Sequence, residues 1–461
     1  MRTIPRIVVA GTSSGAGKTS VACGLISALR ARGLVVQGFK VGPDYIDPSY
    51  HALASGRPGR NLDAFLSGPE LIAPLVLHGA VGADIAVIEG VMGLFDGASG
   101  RGELASTAHV AKLLGAPVLL VLDAASMARS AAAIVHGYMT FDPDVEIAGV
   151  IVNKVGSDHH ELLLREAIEP LGVPVVGALR RDARVAAPER HLGLVPAGER
   201  ESRTRLAIEA LGEAVLARVD IDAVLALART APALGGEAWA ATGVDTGNGA
   251  PAGIRATGTI AIARGPAFSF HYEENLELLC AAGATLAPFD PAHDEALPAD
   301  AGALILAGGF PEVFVAELSA NSAMRKQVAA FARSGRPVLA ECGGLLYLCE
   351  ALDDLPMCGV LPARGRMVGR LSIGYREARA QGESPLWCSG EAVRGHEFHY
   401  SAVDGDGMPA WELTARGITR PEGFVSGGVH ASYLHVHWAA FPQVAPRLVA
   451  AAAREHAGAW A

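Results

Sequence analysis

The chain has 461 residues, half of them apolar and 19% charged, with a formal net charge of −10. That length suggests about two or three domains, and the acidic balance argues against a nucleic-acid partner, because phosphate-backbone binding wants a basic face. No run of about 18 uncharged apolar residues occurs; the most apolar stretch, Ala116 to Val135, is interrupted by Asp123 and Arg129, and no signal-peptide pattern opens the chain. A cytoplasmic protein without membrane association is expected.

Taken in order, Arg6 to Ala10 is a β-branched run that reads as a buried strand, and Thr19 to Arg32 carries helical spacing through Val21, Leu25, Ile26 and Leu29. Between them lies Gly11-Thr12-Ser13-Ser14-Gly15-Ala16-Gly17-Lys18-Thr19-Ser20. Glycines without Cβ atoms let backbone N–H groups turn onto a phosphate at the positive end of the following helix. Lys18 would reach the β/γ-phosphates and Thr19 would offer a hydroxyl to Mg²⁺, which makes ATP the expected ligand. The spacing is unusual: Gly11 lies six residues before Gly17, and Thr12 stands where the standard motif has its first glycine.

Leu34 to Lys40 reads as the second strand, followed by the proline-bounded turn Lys40-Val41-Gly42-Pro43-Asp44-Tyr45-Ile46-Asp47-Pro48. Its two carboxylates suit metal-phosphate chemistry; a surface Asp-Pro turn is the alternative. Ile85 to Glu89 is a strand ending in an acid, a second candidate Mg²⁺ ligand, and Gly90 to Gly97 after it reads as a mobile loop over substrate. Strands at Val118 to Asp123, Ile147 to Val152 and Val173 to Ala178 complete a doubly wound α/β pattern, whose ligands belong at the carboxyl ends of the strands. Asn153, at such an end, is placed to read a nucleotide base.

The small, unpatterned stretch 229–257 reads as a flexible linker, giving an ATP-binding domain at 1–228 and a second α/β domain at 258–461. The second domain opens with strands at Thr259 to Ala263, Ala303 to Ala307 and Pro337 to Ala340. Six cysteines without a C-x-x-C pair suggest neither zinc nor disulfides, but Cys342 sits between a strand and Gly343-Gly344 as in a nucleophile elbow. The helix after it is expected to lower the thiol pKa. Its base would come from His430-Ala431-Ser432-Tyr433-Leu434-His435-Val436-His437, with His435 the first choice and His437 the second. Gly308 and Gly309 offer backbone N–H groups for an oxyanion hole. These parts suit hydrolysis of a small amide. The segment Arg394 to Tyr400 lines that pocket or is a structural strand.

Over nearly the whole length these motifs, with Pro188-Glu189-Arg190-His191-Leu192-Gly193-Leu194, Glu341-Cys342-Gly343-Gly344 and Arg394 to Tyr400, resemble the cobyrinic and hydrogenobyrinic acid a,c-diamide synthases. The six-residue spacing is that of related dethiobiotin synthetase-like nucleotide folds. The resemblance implies such a P-loop domain joined to a class I glutamine amidotransferase domain with a flavodoxin-like α/β fold. It implies ATP with Mg²⁺, L-glutamine and a corrinoid polycarboxylate as partners, and a carboxylate activated as an acyl phosphate before ammonia displaces phosphate. Gly15, Gly17, Lys18, Thr19, Ser20 and Asn153 would hold ATP; Thr19, Glu89 and Asp47 the metal; Asp44 and Asp47 the reacting groups; and Tyr45, Gly308, Gly309 and Arg190 the substrates. Arg366 and Arg370 are further basic candidates. Cys342 and His435 would form and resolve a thioester, while the family's usual acid two residues after the histidine is here His437. Cobalt-containing and metal-free rings, a nickel-sirohydrochlorin substrate, a cobyric acid synthase-like amidase, a regulatory ATPase with an inactive second domain and a homodimer all stay open.

Overall fold

The computed structural model describes residues 3–181, 201–241 and 258–458. The chain divides into two compact units, Met1–Ala240 and Ala241–Ala461.

In the first unit seven strands form one sheet: β1 (Arg6–Gly11), β2 (Val36–Val41), β3 (Arg60–Leu62), β4 (Ile85–Glu89), β5 (Val118–Asp123), β6 (Ile147–Val155) and β7 (Val175–Arg180). Their order is β3-β2-β4-β1-β5-β6-β7 and every pairing is parallel. Each residue of β1, β2 and β4 is buried, as expected for strands covered on both faces by crossover helices. Helix α1 (Lys18–Ala31) follows β1, and α2 (Ile46–Ser55) follows β2. The register pairs Lys40 of β2 with Glu89 of β4 and Val9 of β1 with Glu89. The carboxyl ends of these three strands are thereby brought together. The sequence reading missed β3, a three-residue strand too short for any periodicity to reveal.

The stretch expected to be a linker starts instead as part of this unit. Arg6, fully buried at the head of β1, donates from Nη2 to Pro232 O at 2.8 Å. Trp239 N–H donates to Pro74 O at 2.9 Å, and the Trp239 ring meets His78 edge-on at 4.9 Å. Small residues that lack periodicity are fixed here by one long-range guanidinium and one indole. Residues 242–257 lie outside the described residues.

The second unit has its own six-stranded sheet. From one edge inward run β9 (Ala284–Phe289), β8 (Gly258–Ala263), β10 (Ala301–Leu306) and β11 (Val338–Glu341), all parallel. The chain then leaves for a largely antiparallel sheet of β12 (Ala351–Leu352), β13 (Leu355–Pro356), β14 (Ala363–Ala380), β15 (Ala392–Gly405), β16 (Trp411–Ala415) and β17 (Ile418–Glu422). It returns as β18 (Phe424–Ser426) and β19 (Val429–Ser432), with β19 parallel to β11. This antiparallel layer was not foreseen. β14 is half-exposed along most of its length, so it lacks the apolar alternation that marks a half-buried strand.

Candidate active site

At the end of β1 the chain passes through Gly15 and Gly17 at φ +78° and +101°, a region that glycine enters without steric cost. No side chain caps α1, whose N-cap is Gly17, so its first N–H groups face the loop and can receive a phosphate. Lys18 folds back to donate from Nζ to Ser13 O at 2.9 Å. Burial, and then the neighbouring Lys40 charge, bring its pKa down to about 8.

Five side chains from four elements meet beside this loop. Thr19 Oγ1 donates to Glu89 Oε1 at 2.6 Å and lies 3.5 Å from Asp47 Oδ2. Lys40 Nζ sits 2.7 Å from Asp47 Oδ2 and 2.9 Å from Glu89 Oε1, and donates to Gly90 O at 2.9 Å. His51, one helical turn after Asp47 on α2, places Nε2 2.7 Å from Glu89 Oε2. Burial disfavours the Lys40 charge, but Asp47 and Glu89 outweigh it and hold the ammonium above the usual lysine range. Burial likewise opposes the Glu89 charge, and Lys40 and His51 overcome it, leaving Glu89 well below the usual range. Asp47 is pushed up by burial, then by Asp44 and Glu89.

No group of three or more His, Cys, Asp or Glu side chains able to hold a metal occurs among the described residues. Thr19, Asp47 and Glu89 instead present one hydroxyl and two carboxylates, a hard-oxygen set that fits Mg²⁺ completed by phosphates and water.

Other expectations for this unit change. Asp44 Oδ1 accepts from the N–H groups of Ile46 and Asp47 at 2.7 and 3.1 Å, so that oxygen caps α2. Tyr45 stands at the first turn of α2, partly exposed, and Ser20 lies within α1. Both ends of the Asn153 amide are engaged: Nδ2 donates to Ala16 O at 2.9 Å and Oδ1 accepts from Lys154 N–H at 2.8 Å. A Cβ on Gly17 would fall 2.1 Å from Asn153 Nδ2; the side chain braces the phosphate loop from behind. The loop after Glu89 is pinned rather than loose, with Leu94 N–H on Gly11 O at 3.0 Å and Val91 N–H on Thr107 Oγ1 at 2.9 Å. Arg190 and the motif around it lie outside the described residues.

In the second unit Cys342 follows the last residue of β11 and has φ +48° and ψ −97°. A non-glycine residue there costs on the order of 1–3 kcal/mol and persists only where its surroundings enforce it. The enforcement is visible: Cys342 N–H donates to Ser432 O at 2.7 Å, continuing the β11–β19 ladder. The chain then turns at once into the helix Gly343–Leu348. A Cβ on Gly344 would lie 2.1 Å from Leu306 O, and one on Gly343 3.2 Å from Gly309 N. Gly309 is thus beside the elbow, as an oxyanion donor must be.

His435 follows β19 by three residues and is nearly fully buried. Its backbone exchanges hydrogen bonds with His396 of β15 at 2.9 and 3.0 Å, and its Nδ1 lies 3.5 Å from Glu341 Oε2. A Cβ on Gly308 would be 2.4 Å from His435 Cε1, so only glycine leaves room for the ring. His437, the second choice as base, is directed elsewhere: its Nε2 lies 3.4 Å from Glu274 Oε2. The thiol departs from expectation. Burial, then Glu312, push the Cys342 pKa up despite the Gly343 N–H; one short helix does not offset a dry, acidic setting, and the thiol needs a base.

The segment Arg394 to Tyr400 is part of β15. Cys342 Sγ donates to Phe398 O at 3.8 Å, while Glu397 is fully buried between Arg376 Nε at 2.5 Å and Arg420 Nη2 at 2.6 Å. Burial, then His435 and Arg376, lower the His396 pKa to about 3. Arg366 pairs at the surface with Asp404, at 3.1 Å. Lys40, His51 and Glu341 are the residues that sequence reasoning left unassigned. His51 carried a signal, since positions four apart share a helix face.

These features define an ATP-type P-loop unit joined to a thiol glutamine amidotransferase unit. Residues 7–195 match the CobQ/CobB/MinD/ParA nucleotide binding domain, and residues 259–443 match the CobB/CobQ-like glutamine amidotransferase domain. The chain is 56% identical to hydrogenobyrinate a,c-diamide synthase of Streptomyces coelicolor, over 97% of each protein. It is 51% identical to the protein of that name from Mycobacterium tuberculosis, over 98% of each. Cobyrinate a,c-diamide synthase of Syntrophotalea carbinolica is 46% identical, over 96% of this chain and 98% of that one. The chain belongs to the hydrogenobyrinate and cobyrinate a,c-diamide synthase family, ligases that take nitrogen from glutamine.

Proposed function

We propose that the chain amidates the a and c carboxylates of hydrogenobyrinic acid in turn, using ATP to activate each carboxylate and glutamine to supply ammonia. The observation that carries this reading is that one chain holds both a bare helix N-terminus beside a hydroxyl–carboxylate–lysine cluster and a strained cysteine whose chain neighbour Glu341 lies beside a buried histidine. Carboxylates are poor electrophiles, and transfer of the γ-phosphoryl group makes an acyl phosphate whose phosphate can leave. Lys18 and the loop N–H groups bind the phosphates, and Lys40 sets a fixed positive charge beside the developing anion. Thr19, Asp47 and Glu89 would hold Mg²⁺, which when bound neutralises phosphate charge. Asp44 shapes the turn and Tyr45 flanks the ring substrate.

In the second unit His435 takes the thiol proton, Cys342 sulfur attacks the glutamine side-chain amide, and Gly308 and Gly309 steady the oxyanion. His435 returns the proton to the departing nitrogen as ammonia leaves. Water then resolves the thioester to glutamate. Relatives at 50–56% identity are named for hydrogenobyrinate and those at 42–46% for cobyrinate, which favours hydrogenobyrinic acid as the ring. The test is to offer purified enzyme hydrogenobyrinic acid, cobyrinic acid and nickel-sirohydrochlorin with ATP, Mg²⁺ and glutamine, and to resolve products by mass. Faster double amidation of hydrogenobyrinic acid is expected. Glutamine hydrolysis with no amide gained on any ring would overturn the substrate.

A further inference from the structure

We propose that Glu341, the residue before the nucleophile, is the positioning residue that orients His435. This deepens the amidotransferase reading and rests on it. A histidine that shuttles a proton between sulfur and nitrogen must present one ring nitrogen to the thiol and have the other fixed, or the ring turns and the wrong tautomer forms. Position 437, two residues after His435, carries a histidine whose Nε2 is directed at Glu274, 3.4 Å away. No acid at that position can therefore hold His435. Glu341 reaches it from the other side.

Three observations place it. Glu341 is the last residue of β11 and pairs with Ser432 of β19, so the strand that delivers Cys342 also delivers a carboxylate toward the chain that delivers His435. Its Oε2 lies 3.5 Å from His435 Nδ1 with the Glu341 side chain only 13% exposed, near enough to close to a hydrogen bond when substrate binds. Glu397 of β15, next to His396, is already held by Arg376 and Arg420. With Nδ1–H donating to Glu341, Nε2 is left to accept the Cys342 proton. The carboxylate then faces an imidazolium during thioester formation and a neutral ring before and after it. The proton moves only from sulfur to Nε2 and on to the leaving nitrogen; none passes to Glu341.

The closing experiment measures glutamine hydrolysis, and amide synthesis from ammonium salts, in the full-length enzyme and in Glu341→Gln, Glu341→Asp, Glu274→Gln and Cys342→Ala. Glu341→Gln is expected to lower glutaminase kcat by about 10²- to 10⁴-fold with KM for glutamine within about threefold, while ammonia-driven synthesis is kept. Glu341→Asp should recover part of kcat, and Glu274→Gln should stay within about threefold of the parent. A Glu341→Gln enzyme with unchanged kcat, or one impaired through KM alone, overturns the assignment. So does loss of glutaminase in Glu274→Gln with Glu341→Gln intact. Should Glu341→Gln fail to fold, equal kcat losses in Glu341→Asp and Glu341→Ala overturn it as well. Glutaminase surviving in Cys342→Ala would instead sink the amidotransferase reading itself.

Discussion

The cluster beside the phosphate loop is assembled from side-chain charges, whereas the thiol site is assembled mainly from backbone. Around the cradle Lys40 is nearly fully buried between Asp47 and Glu89, and the Lys40 and Glu89 charges are kept against desolvation by their neighbours. Around Cys342 the determinants are a positive φ, a ladder hydrogen bond to Ser432, and three glycines whose missing Cβ atoms make room for Leu306, Gly309 and His435. A site made of mutually dependent charges is fragile to the loss of one partner, because the remainder are stranded in a low dielectric. A site made of backbone is fragile to added volume.

The largest expected effect isolates the second region. Cys342→Ala should abolish glutamine-dependent amidation by more than about 10⁴-fold yet leave synthesis from ammonium salts close to parental, checked by product mass with either nitrogen source. Equal loss with both sources would mean that the two regions are not chemically separable. The charge cluster is probed next by Lys40→Met, which leaves two buried carboxylates without their cation. A stability loss of about 3–5 kcal/mol is expected, read as a lowered melting temperature. Thr19→Val, which removes a hydroxyl at the mouth, should alter melting far less. Added volume is the complementary probe. Gly308→Ala would place a methyl against His435 and should cut glutaminase about 10²-fold, as an ångström-scale misplacement does, with ammonia-driven synthesis again retained.

The same division explains what could be read before any fold was known. Gly15, Gly17 and the Cys342-Gly343-Gly344 turn are backbone devices, and the backbone's demands show in sequence as local glycine spacing. The seven-strand pattern was mostly visible because strands buried on both faces are continuous apolar runs. Lys40, His51 and Glu89 become partners only because β2 and β4 adjoin and α2 folds back over them, and nothing local in sequence carries that adjacency. The Asn153 brace was not legible for the same reason: its partner Ala16 is 137 positions away. The long strand β14, and β15 beyond the Arg394 to Tyr400 segment, escaped notice because their exposed faces blur the period.

The smallest expected effect tests whether burial governs an acid in the second region as it does not govern Glu89 in the first. Glu422, nearly buried, accepts from Ser432 Oγ at 2.6 Å and from Tyr433 N–H at 2.7 Å, and so ties down the chain leading to His435. Burial raises its pKa from the ordinary 4.5 to about 7, against the pull of those two hydrogen bonds. No lysine sits beside it as Lys40 does beside Glu89. Between those two values the folded chain keeps a proton that the unfolded chain has shed, so its contribution to stability is full below about pH 4.5 and drains away as pH rises through about 7. Glutamine at 422 can accept from Tyr433 N–H and keep contact with Ser432 Oγ but cannot titrate. Melting temperature measured from pH 5 to 8 should therefore fall more steeply in the parent than in Glu422→Gln. Parallel curves would show that this carboxyl is held charged by its hydrogen bonds, as Glu89 is held by Lys40 and His51, and the contrast between the two regions would narrow to backbone strain alone.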